Sequence, residues 1–356
     1  MLMRARVRAW DNRLRLIGKG GRGYIPGVEK SPSIFGTRSA PVKPEPITLA
    51  EPLPGWEEPD CLLCGKRKRE VIVRAYDNAA PDDWHRYTVV RCVACGLCFT
   101  SPRPSPELIG KFYPDWYEPH QSPSECRSPP WWSRLAARLG WQVRPRRILP
   151  WHGRGRLLDF GCGGGSFLQR MHRLGWEVTG LDISPPAIER IRTQFHLRAM
   201  VGSLPHPELV SGSFDVVTMW QSLEHVHNPR AALRATHQLL TPGGRLLIAV
   251  PNIAGLPFRW FGPTWYALDL PRHLTHFTPS TLCMMLQQCG FCVRRVSMLR
   301  HHRWLRESAR LTSQGSASAD WRCWLGGKVT SRLITSLCWL TRRSDCMLVA
   351  AERGAT

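Results

Sequence analysis

Apolar and polar positions recur along this chain with two periods. Four short apolar runs read as buried strands: Arg156–Phe160, Trp176–Asp182, Phe214–Met219 and Arg245–Val250. Between them, Ser184–His196 and Pro229–Leu240 read as helices. Strands separated by helices of that length predict βαβ units and a parallel sheet. Further on, Trp321, Leu325, Val329, Leu333, Leu337 and Leu340 repeat at helical spacing, with Arg322, Lys328 and Arg332 among them. That spacing predicts a core-facing helix weakened by Gly326-Gly327, with a membrane-surface helix as the alternative.

Upstream of residue 156 the periods fail. Residues 1–55 are rich in Arg, Gly and Pro and read as a flexible basic tail; an amphipathic arm or organelle-type leader is the weaker reading. Residues 104–150 are Pro- and Trp-rich, with Pro129-Pro-Trp-Trp132 at their centre, and read as a connector. The intervening module, 56–103, is marked by cysteines. Residues 151–356 carry the sheet, with a cap or insert at about 253–280 and another at about 300–343.

Composition sharpens this picture. Of 356 residues, 43% are hydrophobic, enough for a sizeable core and too many for a wholly disordered chain. No run of about 18 apolar residues predicts a spanning helix, and the start carries arginines but no apolar leader core. Those two features predict a cytoplasmic protein, with peripheral contact at the inner face of a membrane as an alternative. The formal charge of +22 predicts attraction to an anionic partner: nucleic acid, a phospholipid surface or a phosphorylated substrate.

Thirteen cysteines, an odd number without an export signal, favour reduced thiols and a metal site over a disulfide framework. Cys61-Leu-Leu-Cys64-Gly65 and Cys92-Val-Ala-Cys95-Gly96 form two knuckles separated by 27 residues, 65–91. Each knuckle puts two thiolates on one side of a tight turn. Two knuckles give tetrahedral S₄ coordination, the geometry of structural zinc, so Cys61, Cys64, Cys92 and Cys95 are the expected ligands. The region has too little apolar mass to fold unaided. Cys98 repeats the C-x-x-C spacing with Cys95 and keeps an iron–sulfur alternative open.

The stretch Leu157-Leu-Asp159-Phe-Gly161-Cys-Gly163-Gly-Gly165-Ser-Phe-Leu168 runs from a strand through a glycine turn into a helix. Glycines there permit positive φ and close approach of backbone to a ligand. Asp182 ends the next strand, 21 residues beyond Gly161, where an acidic side chain can grip ribose hydroxyls at the carboxyl edge of the sheet. The dinucleotide fingerprint would need glycine at 166, and Ser166 stands there instead.

These residues resemble the class I S-adenosylmethionine (SAM) dependent methyltransferases, in particular the branch with ubiquinone-type O-methyltransferases. The resemblance extends through Gly212–Met219, Leu223-Glu-His-Val226, Leu240-Thr-Pro-Gly-Gly244, Val250-Pro-Asn252 and Leu270–Pro279. It implies an α/β fold: a seven-stranded doubly wound, Rossmann-like sheet whose last strand, near Cys346–Ala351, runs antiparallel, preceded by a small zinc ribbon. It implies SAM as cofactor, with Asp159, Gly161, Cys162, Gly163 and Gly165 on the methionine side. Asp182 and Ile183 would take the ribose and adenine, with Ser203 near adenine. Trp220 and Gln221 would border the sulfonium and the acceptor. Some relatives place a metal-binding glutamate three residues before Glu224; Gln221 is a poorer ligand for a hard cation, so no catalytic metal is expected.

His225, His273 and His276 are the candidate bases, since imidazole accepts a proton near neutral pH. The ring-rich stretch Pro257–Tyr266 reads as a packed cap and a substrate wall. The expected activity is methyl transfer to oxygen or carbon of a small-molecule, glycan or lipid-linked acceptor. The rivals are a nucleic-acid (RNA) methyltransferase and a non-enzymatic zinc-ribbon interaction protein.

Overall fold

The computed structural model describes residues 54–80, 85–113, 155–315 and 320–354. The basic tail up to residue 53 and the connector from residue 114 lie outside the described residues.

The N-terminal part contains β1 (Trp56–Glu57), β2 (Arg69–Ala75), β3 (Tyr87–Cys92), β4 (Cys98–Thr100) and β5 (Arg103–Pro104), then a 3₁₀ turn over Ile109–Phe112. The sheet region follows with β6 (Arg156–Phe160), α1 (Ser166–Arg173), β7 (Glu177–Asp182), α2 (Pro185–Phe195), β8 (Arg198–Val201), β9 (Phe214–Trp220), α3 (Pro229–Leu239) and β10 (Leu240–Pro251). The helix starts follow from local chemistry. Ser184 and Asn228 accept from the amides of Ala187 and Ala231, and a proline after each supplies a preset φ at the first helical position.

The chain continues through α4 (Leu256–Phe261), β11 (Thr275–His276), α5 (Pro279–Gln288), β12 (Phe291–Leu299), α6 (His302–Gly315), α7 (Trp321–Trp324), α8 (Lys328–Leu340) and β13 (Cys346–Arg353). Seven strands form one mixed sheet in the order β12-β13-β10-β9-β6-β7-β8. β13 runs antiparallel to both its neighbours, and β10, β9, β6, β7 and β8 run parallel. The order reverses at β6, so the carboxyl ends of β6 and β9 flank a crevice.

The ribbon is not a bead on a string. Its four-stranded sheet has the order β11-β4-β3-β2, and its edge strand β11 comes from the cap, pairing Thr275 with Phe99 and His276 with Cys98. One buried cluster joins Cys61, Leu63, Val90 and Phe99 to Leu223, Val250, Phe277 and Leu282.

The core-facing helix expected over 321–340 is corrected by the structure. The segment breaks at Gly326-Gly327, and Trp321, Val329, Leu333, Leu337 and Leu340 face solvent. Leu325 alone of the six is buried, and α8 packs inward through the small residues Ser331, Thr335 and Cys338. Periodicity marks an apolar face without saying that the molecule covers it.

Candidate active site

The cofactor half is built from consecutive βα units. Asp159 sits opposite Gly180 and Thr218 in the parallel register and is 2% exposed, and its Oδ1 accepts a 2.6 Å hydrogen bond from Thr218 Oγ1. The glycine turn then needs positive φ three times, at Gly161, Gly163 and Gly165. A Cβ at Gly161 would lie 2.4 Å from Ser222 Cβ, and one at Gly165 would lie 2.6 Å from Ile191 Cγ1. Glycine is therefore dictated by both backbone and space.

Asp182 faces the turn: its Oδ2 accepts from Gly163 N at 2.8 Å and its Oδ1 from Ser184 N at 2.9 Å. Ile183 is 53% exposed beside it, an apolar flank of the kind a purine ring covers. Ser203 is exposed just past β8. Cys162 and Trp220 turn their side chains into the core instead: Cys162 Sγ lies where a Cβ on Gly180 would come within 2.8 Å, and Trp220 packs edge-on against Phe167 at 5.3 Å.

Gln221 follows β9 with φ 55°, a left-handed conformation costly for a residue with a Cβ. Its amide donates to Ala249 O at 2.8 Å and its Nε2 lies 3.2 Å from Cys346 Sγ, leaving Oε1 buried without a protein partner among the described residues. Strain and an orphaned acceptor together make Gln221 a candidate position at the carboxyl edge.

The acceptor half gathers distant segments. Glu224 and His225 lie in a 3₁₀ turn, Leu223–His225, and α3 begins at Pro229. His225 Nδ1 is 3.1 Å from the carbonyl of Arg272 and 3.0 Å from the hydroxyl of Tyr113. His273 packs edge-on against His225 with ring centres 4.5 Å apart. Its Nδ1 is 3.0 Å from Ala267 O, so the proton sits on Nδ1; burial first, and then His225, hold its pKa well below the ordinary value.

His276 is set apart. It is 2% exposed in β11, and Nε2 is 3.1 Å from Thr100 Oγ1, whose own proton goes to His273 O at 2.7 Å. His276 Nε2 therefore donates, and the ring ties ribbon to cap. Burial pushes its pKa down to about 3.

Glu224 is 1% exposed with no hydrogen-bond partner for either oxygen among the described residues, and burial pushes its carboxyl up to about 8. His273 Nε2 is 4.0 Å away, longer than a hydrogen bond. No hydrogen bond to His273 therefore holds the Glu224 carboxyl.

Arg272, Asp77, Asp269 and Tyr113 complete this half, and sequence reasoning missed their roles. Arg272 is 1% exposed; it donates to both oxygens of Asp77 (2.6 and 2.9 Å), to Asp269 Oδ1 (2.7 and 3.0 Å) and to Phe112 O (2.9 Å). Burial works against the guanidinium charge, but Asp269 and Asp77 outweigh it and raise the pKa. The clamp holds Phe112, next to the Tyr113 that meets His225. The one available signal was an arginine beside a histidine in the short stretch Leu270–Leu274.

The four knuckle sulfurs meet. Cys61 and Cys95 Sγ are 3.4 Å apart, Cys64 and Cys92 Sγ 3.5 Å, and all four lie within 4.8 Å of one another. Zinc–sulfur bonds of about 2.3 Å imply sulfur separations of about 3.8 Å, so the set fits zinc. Gly65 and Gly96 end the two turns with positive φ, donating to Cys61 O and Cys92 O. Cys98 stands outside the group, its thiol against Gly96 O at 3.8 Å.

Comparison with known proteins comes to the same region. Residues 131–296 match a family model described as "Methyltransferase domain". The chain is 35% identical over 173 residues to the ubiquinone biosynthesis O-methyltransferase of Xanthomonas axonopodis pv. citri, covering 45% of this chain and 71% of that protein. The protein of the same description from Xanthomonas campestris pv. campestris is 34% identical over 175 residues, with the same coverage. Among solved structures, a SAM-dependent methyltransferase from Mesorhizobium loti is 22% identical (TM-score 0.42, 58% of this chain and 95% of that one). The [4+2]-cyclase SpnF is 23% identical (TM-score 0.42, 65% and 84%).

Proposed function

Because the chain belongs to the class I SAM-dependent methyltransferases, we propose that it methylates an oxygen of a small lipid-linked acceptor, with His225 as the base. The O-methyltransferase relatives support the choice of atom and acceptor class. The observation that carries the reading is the placement of His225 four residues beyond strained Gln221, at the carboxyl edge where β9 ends.

Asp159, Gly161, Gly163 and Gly165 would hold the methionine end of SAM, and Asp182 and Ile183 its nucleoside. When bound, SAM supplies an electrophilic methyl group on a sulfonium. This chain's residues orient the acceptor and manage its proton. A carbonyl can only accept, so the contact with Arg272 O puts the His225 proton on Nδ1 and the basic lone pair on Nε2. The acceptor O–H proton passes to Nε2 as the oxygen–methyl bond forms and the sulfur–methyl bond breaks. His273, neutral and edge-on, positions the His225 ring, and His276 serves the seam behind it. Buried Glu224 and the aromatic cap keep the site dry.

The test is transfer of labelled methyl from SAM into lipid, carbohydrate and RNA fractions of an extract. Label should enter the lipid fraction. His225→Ala should cut transfer about 10²–10⁴-fold with SAM affinity unchanged by calorimetry. Full transfer by that variant, or label confined to RNA, would overturn the assignment.

A further inference from the structure

The outward face of α7 and α8 is the largest run of apolar side chains the described fold leaves uncovered. Val329, Leu333, Leu337 and Leu340 fall within about 80° of arc at 100° per residue. They are 69%, 66%, 52% and 70% exposed. Trp321 and Trp324 extend the face, 58% and 79% exposed, and Trp339 borders it. The inward face carries Ser331, Thr335 and Cys338, so the larger apolar residues point to solvent.

Cations border this face. Arg306, Arg310, Lys328, Arg332, Arg342 and Arg343 are exposed on α6, α8 and the turn after it. Arg300 lies over the Trp339 ring at 5.2 Å and within 3.4 Å of Ser336 Oγ on α8. His302 registers their closeness: burial first, and then Arg332, Arg306 and Arg300, lower its pKa. The two acidic residues of this stretch, Glu307 and Asp320, are ion-paired to Arg310 and Arg322.

We propose that this face docks on an anionic phospholipid bilayer, its Trp, Leu and Val side chains entering the headgroup–acyl boundary and its arginines and lysine meeting lipid phosphates. The pattern is that of a helix lying in the interface plane, apolar on one side and basic at its borders. No described helix is long and apolar enough to cross a membrane, so the contact is with one surface. A nucleic-acid backbone would match the charge but has no use for exposed leucine and valine. Behind the face, Leu305, Ala309 and Leu325 join Phe261, Trp265, Leu268 and Leu270 of the cap in one cluster. Docking therefore sets the cap against the bilayer, where a lipid-linked acceptor is dissolved; that consequence, unlike the docking, rests on the function proposed above.

The experiment is flotation of the full-length protein with mixed phosphatidylglycerol–phosphatidylcholine vesicles and with pure phosphatidylcholine vesicles. The protein should float with the anionic vesicles and be released by high salt. Leu333→Glu/Leu337→Glu should lower the bound fraction about tenfold or more with SAM affinity unchanged. Trp324→Ser, at a position 79% exposed, tests the same face with a smaller change and should also weaken flotation. Three results overturn the proposal: no flotation of the parent protein, flotation that both variants retain, or a parent dimer that the double variant dissociates, which would make a second copy the occupant. Methyl transfer does not enter the readout, so failure of the acceptor assignment leaves this result standing, and the converse.

Discussion

Arg272→Met removes the guanidinium that joins ribbon to cap while keeping much of the side chain's bulk. The residue is 1% exposed, Asp77 4%, and the pair is bidentate at 2.6 and 2.9 Å. Removing one partner of such a pair leaves a buried charge uncompensated and costs about 3–5 kcal/mol. The Phe112 carbonyl loses its donor as well, but that loss overlaps the first, so about 4 kcal/mol is the expected total. In a chain of this size that lowers the melting temperature by roughly 5 °C. Calorimetry or urea unfolding at pH 7 measures it. Asp77→Asn added to Arg272→Met removes the stranded charge and should recover about 2 kcal/mol, a positive coupling in the double-mutant cycle. Function should divide: Tyr113 and His225 lose their common support, so transfer falls while SAM affinity holds, because Asp159, the glycine turn and Asp182 are untouched. A cost below about 1 kcal/mol, or SAM affinity falling in step with transfer, would refute the reasoning.

Asp345, wholly buried with Oδ2 unpartnered, has its carboxyl pushed up to about 8 by burial. Between about pH 4 and pH 8 the unfolded chain has lost that proton and the folded chain keeps it, so the contribution of Asp345 to stability is fully present at low pH and declines by about 1.4 kcal/mol per pH unit as pH rises, levelling above about 8. Asp345→Asn should remove one proton's worth of that slope in urea unfolding at pH 5, 6 and 7, Glu224 contributing a second of the same sign; parallel profiles would count against it. Chelation should release about one zinc per chain and expose four reactive thiols, with transfer lost and SAM binding kept; metal analysis with thiol titration checks both. Gly161→Ala forces a Cβ to 2.4 Å from Ser222 Cβ at φ 73°, and should weaken SAM binding more than about tenfold by calorimetry.

The cofactor half was legible because everything it needs lies close in sequence. The strand, glycine turn and helix of 156–173 follow one another, and Asp182 comes one βα unit later. Ser184-Pro185 and Asn228-Pro229 announced their helices to within a residue at each start. The knuckle spacing likewise brought four sulfurs together across 27 intervening residues. The acceptor half was half legible: His225 and His273 were named, but Arg272 and Asp77 are 195 positions apart, and nothing local in either tells of the other. His276 looked equivalent to His273 by type and spacing, and burial against Thr100 sets it apart. For α8 the period gave the helix and its apolar stripe, yet solvent lies on that stripe because Ser331, Thr335 and Cys338 permit closer packing than leucines would.

The two halves are therefore held by different kinds of structure, and this governs how each can fail. The half proposed to hold SAM is fixed by parallel-strand register and by glycines with no alternative residue, so a local change there should remove SAM binding and with it transfer. The acceptor half is fixed by contacts that cross from ribbon to cap: β11 pairing β4, Thr100 between His273 and His276, Arg103 to His227 O at 3.1 Å, and Arg272 to Asp77. Losing any one loosens the others, because the cap strand that carries His276 is also an edge of the ribbon sheet. Damage to the ribbon, far from the glycine turn in sequence, should then act on the acceptor's proton and leave the nucleoside's grip intact, and a ribbon whose only task was stability would lower both together.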